Sequence, residues 1–172
     1  MQNKAVFLDR DGIINQEMGS YVYDKTTFHW VPGIFQLCKE LHNHGYLLIV
    51  ITNQGGISKG LYSYAQTEEL HTWMSAEFSA HGCPLTDIYY SPFHKDISRN
   101  IMSKPSSFML EKACAHYSIL PEISWMIGDR TRDIICGKKK GCKTIGIGND
   151  CREANPDFWY ADIIQALEVF PF

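Results

Sequence analysis

The sequence predicts an α/β protein, a parallel sheet with helices packed on both faces. Two observations carry this. Short apolar, β-branched runs alternate with segments of helical period, as strand–helix–strand units require. The run Leu47-Leu48-Ile49-Val50-Ile51 is apolar throughout, as a central strand covered on both faces should be.

The first predicted strand covers residues 5–9. Pro32-Gly33 then precedes a helical stripe of Ile34, Leu37, Cys38 and Leu41, closed by Gly45. Residues 47–53 form the second strand. A second helix carries Leu70, Trp73, Met74 and Phe78 on one face, with Gly82 and Pro84 just beyond it. Strand three is residues 88–91, helix three 108–117, strand four 125–129, a shorter helix 132–140 and strand five 144–148. A last helix near 162–170 packs against the sheet. The helical spacing of the aromatic and Met residues assigns them to the core. Two intervals are irregular: 16–31, long and aromatic, and 91–107, with several basic residues and two prolines. Such loops usually shape the ligand site.

At 172 residues, 45% hydrophobic and 20% charged, the composition fits one domain over residues 1–172 with a sizeable core. The formal net charge of −3 argues against wholesale nucleic-acid or membrane binding. Residues 1–4 lead directly into the first strand without a leader pattern, and the apolar runs are too short to span a bilayer. The six cysteines form no C-x-x-C pair and read as reduced thiols. The expectation is a cytoplasmic monomer.

The polar groups sit where the predicted strands end. Asp9 and Asp11 close the first, and Thr52-Asn53-Gln54-Gly55-Gly56 the second. Lys104 follows the third in the irregular loop. Gly128-Asp129 ends the fourth, with Asp133 four residues on. Parallel strands bring all these ends to one edge, where open α/β sheets bind ligands. Each motif alone also reads as an ordinary turn; their convergence points to chemistry. Clustered carboxylates repel unless a cation joins them, and oxygen ligands suit Mg²⁺ bridging protein to phosphate. Paired glycines let backbone N–H groups approach an anion. Lys104 supplies positive charge for a phosphate dianion. Asp133 either orients Lys104 or metal-bound water, or serves as first-turn helix charge.

These residues, in this order, resemble the haloacid dehalogenase superfamily of phosphohydrolases. "FLDRDG" looks like its first motif, Thr52 its second, Lys104 its third and "GDRTRD" its fourth, so the resemblance covers nearly the whole chain. "FLDRDGIIN", "VITNQGGISKG", "IYYSP", "KP" and "MIGDRTRDI" resemble one branch, the D-glycero-D-manno-heptose 1,7-bisphosphate phosphatases and related histidinol-phosphate phosphatases. The resemblance implies a Rossmann-like three-layer sandwich with a minimal cap or none. It implies Asp9 as nucleophile forming an aspartyl-phosphate, and Asp11 as the acid and then the base. Mg²⁺ would be held by Asp9, the backbone carbonyl of Asp11 and Asp129. Thr52 and Lys104 would stabilise the phosphoryl group. Gly19, Ser20, Tyr21, Val22, Asn53, Gln54, Gly55, Ser103 and Arg130 would lie against a small phosphorylated substrate.

Two departures stand out. Zinc-containing members of the branch carry Cys-x-His and Cys-x-Cys ligands; the aligned positions here are Ser91 and Phe93, then Asn100 and Met102. No thiolate remains to close a zinc site, so none is expected. Ser103 replaces the arginine that precedes the motif lysine, and a serine cannot bind phosphate bidentately. A heptose bisphosphate is the leading substrate and histidinol phosphate the next. A polynucleotide 3′-phosphatase is disfavoured by the acidic balance and the absence of a basic stripe. A phospho-receiver domain is disfavoured because the acidic pair lies on the first strand.

Overall fold

The computed structural model describes residues 2–170. Its strands are β1 (Lys4–Leu8), β2 (Tyr46–Asn53), β3 (Asp87–Ser91), β4 (Trp125–Gly128), β5 (Lys143–Ile147) and β6 (Phe158–Tyr160). They form one sheet in the order β3-β2-β1-β4-β5-β6, with every neighbouring pair parallel. The helices are α1 (Ile34–Asn43), α2 (Tyr64–Ala80), α3 (Phe108–Tyr117), α4 (Thr131–Lys140) and α5 (Ile163–Val169).

Strand alternation sorts the core into two layers. Val6, Leu8, Leu48 and Val50 pack with Leu37 and Leu41 of α1, Leu70 and Phe78 of α2, and Ile163 of α5. Ala5, Phe7, Ile49 and Ile51 face the other way, onto Met109, Leu110 and Ala113 of α3 and Cys136 of α4. Burial of each such Leu, Ile or Phe side chain contributes about 1.5–3 kcal/mol. The result is the three-layer α/β sandwich that the alternating pattern predicts. Among the described residues no cap domain rises over the sheet edge, and no helix is long and apolar enough to cross a membrane.

Local signals place the helices. Ser63 caps α2: its hydroxyl accepts from the Gln66 N–H at 3.2 Å, and the Gln66 side chain accepts from the Ser63 N–H at 2.9 Å. Gly141, at φ +86°, closes α4 in the left-handed conformation that suits glycine. The buried face of α2 differs in detail from the expectation. Trp73 is only half-buried, whereas Thr67 and His71 join Leu70, Met74 and Phe78 inside. β6 was not anticipated; three residues are too few to show a period. All six cysteines are free and buried.

From β1 the chain winds outward through β2 and β3, then returns to β4 on the other side of β1. That reversal opens a crevice beyond the carboxyl ends of β1 and β4.

Candidate active site

The sheet register aligns the ends that carry chemistry. Leu8 pairs with Val50 on one side and Ile127 on the other. Asp9 follows Leu8, Thr52 lies two residues past Val50, and Asp129 two past Ile127. The loop after β3 returns Lys104 to this edge. Asn53 fixes that return: its Nδ2 donates to the Lys104 carbonyl at 3.1 Å, and its Oδ1 accepts from the Lys104 N–H at 2.9 Å.

Lys104 is the centre of the buried charge. Its Nζ lies 2.8 Å from Asp9 Oδ1 and 2.7 Å from Asp133 Oδ1, and donates to the Ile51 carbonyl at 2.7 Å. Burial would lower its pKa, but Asp133 and Asp9 outweigh that and raise it, so the ammonium stays charged. Asp133 is fully buried, and its Oδ2 accepts from the Arg130 backbone N–H at 3.0 Å. Asp133 is thereby held between the start of α4 and the Lys104 ammonium.

One lysine does not balance the carboxylates. Oxygens of Asp9, Asp129 and Asp133 lie within 4.8 Å of one another. Burial first, and then Asp133, pushes Asp9 up to about 7 and Asp129 up to about 6. Asp9 Oδ2 and Asp129 Oδ1 are buried without a hydrogen-bond partner. Two orphaned carboxylate oxygens in an acidic, oxygen-only cluster fit a hard divalent cation such as Mg²⁺. Asp11 does not contribute its carboxyl to the cluster.

The Asp11 carboxyl is held elsewhere. Oδ1 accepts from Arg10 Nη2 at 3.0 Å and Asn15 Nδ2 at 3.1 Å. Oδ2 accepts from Gln54 Nε2 at 2.9 Å and, more weakly, from the same Arg10 nitrogen at 3.2 Å. Burial alone would raise its pKa; the Arg10 charge and these hydrogen bonds overcome that and lower it. Arg10 is itself 1% exposed. It also donates to the Val22 carbonyl at 2.6 Å and lies 3.2 Å from His71 Nε2.

A cleft of about 960 Å³ opens above these groups. Gly19, Ser20, Tyr21 and Val22 line it from the first irregular loop, Asn53 and Gly55 from the end of β2, and Ser103 and Lys104 from the second loop. Asp11 and Arg130 also reach it. Ser103 bonds Ser91 Oγ at 2.8 Å and donates to the Phe93 carbonyl at 3.2 Å, stitching the second loop across its base. Arg130 is engaged by carboxylates: its Nε lies 3.2 Å from Asp129 Oδ2, its Nη2 3.4 Å from Glu17, and its Nη1 pairs with Asp150. Gln54 departs from the group, because its side chain turns inward and is only 1% exposed.

Sequence reasoning passed over Arg10, His71 and the cations Lys95, Arg99 and Arg132, which also line the cleft. Arg10 carried a signal. If Asp9 and Asp11 face the site, a residue between them points to the opposite side, into the α1–α2 layer. His71 also carried one, as a polar residue between Leu70 and Met74 on a mostly apolar helix face.

A family model described as HAD-hydrolase-like matches residues 101–165. The D-glycero-beta-D-manno-heptose-1,7-bisphosphate 7-phosphatase of Haemophilus ducreyi is 35% identical over 150 residues, covering 84% of this chain and 82% of that one. The alpha counterpart from Burkholderia mallei is 37% identical over 150 residues, covering 84% and 79%. Among solved structures, the D,D-heptose 1.7-bisphosphate phosphatase of B. bronchiseptica, complexed with magnesium and phosphate, superposes with a TM-score of 0.87 over 96% of both chains, at 22% identity. At that identity the superposition speaks for the fold.

Proposed function

The chain belongs to the haloacid dehalogenase-like phosphatases, and on that premise we propose that it is a Mg²⁺-dependent phosphomonoesterase of a small sugar bisphosphate, with D-glycero-D-manno-heptose 1,7-bisphosphate as the leading substrate. The observation that carries the chemistry is Asp9, pinned through Oδ1 by Lys104 while Oδ2 has no partner. A carboxylate so fixed keeps one oxygen for an incoming group.

The steps follow from the side chains. The Asp9 carboxylate attacks phosphorus, and the P–O bond to the sugar breaks as Asp11 gives its proton to the leaving oxygen. Water then attacks the phosphorus of the aspartyl-phosphate and passes a proton to Asp11, and the Asp9 O–P bond breaks to release inorganic phosphate and the Asp9 carboxylate. Lys104 and the Thr52 hydroxyl offset charge on the phosphoryl oxygens. Asp9, the Asp11 carbonyl and Asp129 would hold Mg²⁺, which when bound would supply the positive charge that a phosphate dianion needs beside a carboxylate. Asp133 keeps Lys104 extended toward Asp9.

The cleft wall supports the substrate class. Lys95, Arg99 and Arg132 line the same cleft as Lys104 and suit a substrate with a second anionic group. They disfavour histidinol phosphate, whose non-reacting end carries an ammonium. The names of the relatives in Haemophilus ducreyi and Burkholderia mallei point the same way.

The test is phosphate release in Mg²⁺ buffer from heptose 1,7-bisphosphate, histidinol phosphate and a duplex with a nicked 3′-phosphate. The bisphosphate should have the highest kcat/KM; preference for either other substrate overturns the substrate assignment. Asp9→Asn should abolish release, and retained turnover would sink the mechanism.

A further inference from the structure

We propose that Gln54 is a positioning residue: its buried amide holds the Asp11 carboxyl and the Thr52 hydroxyl in fixed relation, and Tyr62 anchors the oxygen end of that amide. The inference rests on the reading of Asp11 as acid and base, and goes beyond it by naming what orients that group.

The geometry is closed on every side. Gln54 Nε2 donates to Asp11 Oδ2 at 2.9 Å and to Thr52 Oγ1 at 2.9 Å, using both amide hydrogens. The Tyr62 hydroxyl donates to Gln54 Oε1 at 2.8 Å. The Asp11 carboxylate, which only accepts when ionised, sets the orientation of the amide, because a flipped amide would place its oxygen against that carboxylate; the Tyr62 hydroxyl, able to donate or accept, completes the arrangement by donating to the amide oxygen. Tyr62 is itself held, with its ring stacked on Tyr23 at 5.3 Å between centroids. Gly56 leaves it room; a Cβ there would lie 2.1 Å from the Tyr62 ring. The Gln54 backbone is anchored too, its N–H donating to the Ser91 carbonyl at 2.7 Å.

Chemistry explains why an amide suits this place. The group that protonates a leaving oxygen and later takes a proton from water changes charge within each cycle. The Arg10 guanidinium favours only the ionised carboxylate. A neutral amide N–H donates most strongly to a carboxylate oxygen, yet can still donate to the C=O oxygen of a protonated carboxyl. Gln54 can therefore hold Asp11 in place through both halves of the cycle, with a weaker bias toward the ionised form than the Arg10 charge exerts. Its second hydrogen ties that position to Thr52, beside the phosphoryl group.

The experiment compares kcat/KM for 4-nitrophenyl phosphate and for a primary alkyl phosphate that the wild-type enzyme turns over. This ratio reports phosphoenzyme formation, where nitrophenolate leaves without a proton and an alkoxide needs one. Gln54→Leu keeps the site filled and removes the hydrogen bonds. It should lower both values through Thr52, and lower the alkyl value at least ~10-fold further, a fraction of the usual worth of a general acid. Tyr62→Phe, which removes the donor that anchors the amide oxygen, should move the same ratio in the same direction by less, and carries the test should Gln54→Leu fail to fold. Asp11→Asn is the reference and should show the largest split. Equal loss on both substrates, or no loss, in Gln54→Leu and Tyr62→Phe beside a clear split in Asp11→Asn overturns the role of Gln54 alone. No split in Asp11→Asn overturns the acid assignment, and this inference with it.

Discussion

At His71 a ring nitrogen lies 3.2 Å from the Arg10 guanidinium, in a site that leaves the residue 4% exposed. Burial first, and then the Arg10 charge, pushes its pKa down to about 3. The folded protein thus keeps the ring neutral, while the unfolded chain protonates it near the ordinary value of about 6.5. The unfolded state binds more protons between these values, so the stabilising contribution is complete above about pH 6.5 and is lost as pH falls toward 3. At pH 5 the loss amounts to about 2 kcal/mol relative to pH 8. His71→Gln, which can still accept from Arg10, should show a smaller drop in urea-unfolding free energy between pH 8 and pH 5. An unchanged drop would mean that His71 is not the acid-sensitive group. Sequence alone reveals the residue but not its charge state, because an exposed and a buried histidine are spelled alike. The same holds for Arg10, whose usual place is the surface.

The junction of β4 and α4 is where an element shapes the site. A Cβ on Gly128 would lie 2.2 Å from Asp133 Cβ and 2.7 Å from its carboxylate. The glycine lets α4 start close enough to the strand for Asp133 to reach Lys104. Gly128→Ala should therefore cost about 1–3 kcal/mol, typical of overpacking, and also lower kcat as Asp133 shifts. Gly146→Ala on β5, the register partner of Gly128, is the comparison: its Cβ would lie 2.6 Å from Cys151 Sγ and 2.9 Å from the Pro156 ring rather than against Asp133. It should lose stability and keep kcat per folded molecule. Equal effects of the two on kcat would show that Gly128 has no special part in placing Asp133. Elements of this kind were legible where the signal was local. β2 announced itself by its unbroken apolar run, and α3 (Phe108–Tyr117) by its period. β6 exists through pairing with β5, and nothing local in Phe158-Trp159-Tyr160 distinguishes an edge strand from a loop.

On the scale of the molecule, carboxylates from β1, β4 and α4 meet only in the folded chain, so a divalent cation held by them binds the native state alone. Such binding stabilises by about 2.7 kcal/mol at a hundredfold excess over Kd. Mg²⁺ should raise the Tm in a concentration-dependent way, a chelator should reverse the rise, and Asp129→Asn should lose most of it. No shift with Mg²⁺ in the wild-type protein would count against a cation at this cluster. Sequence by itself determined the alternation of strands and helices, their apolar faces and the set of polar residues at the strand ends. All of these depend on period and neighbour identity, which a linear chain displays. Parallel pairing then obliges Asp9, Thr52 and Asp129 to share an edge. Only the tertiary structure decided the direction of each side chain once there. It turned Gln54 inward to Asp11, drew Lys104 between Asp9 and Asp133, buried Arg10 against His71, and caged Arg130 among three carboxylates. The reason is physical: hydrogen bonds and ion pairs between distant segments depend on how layers pack, and packing is a property of the whole fold.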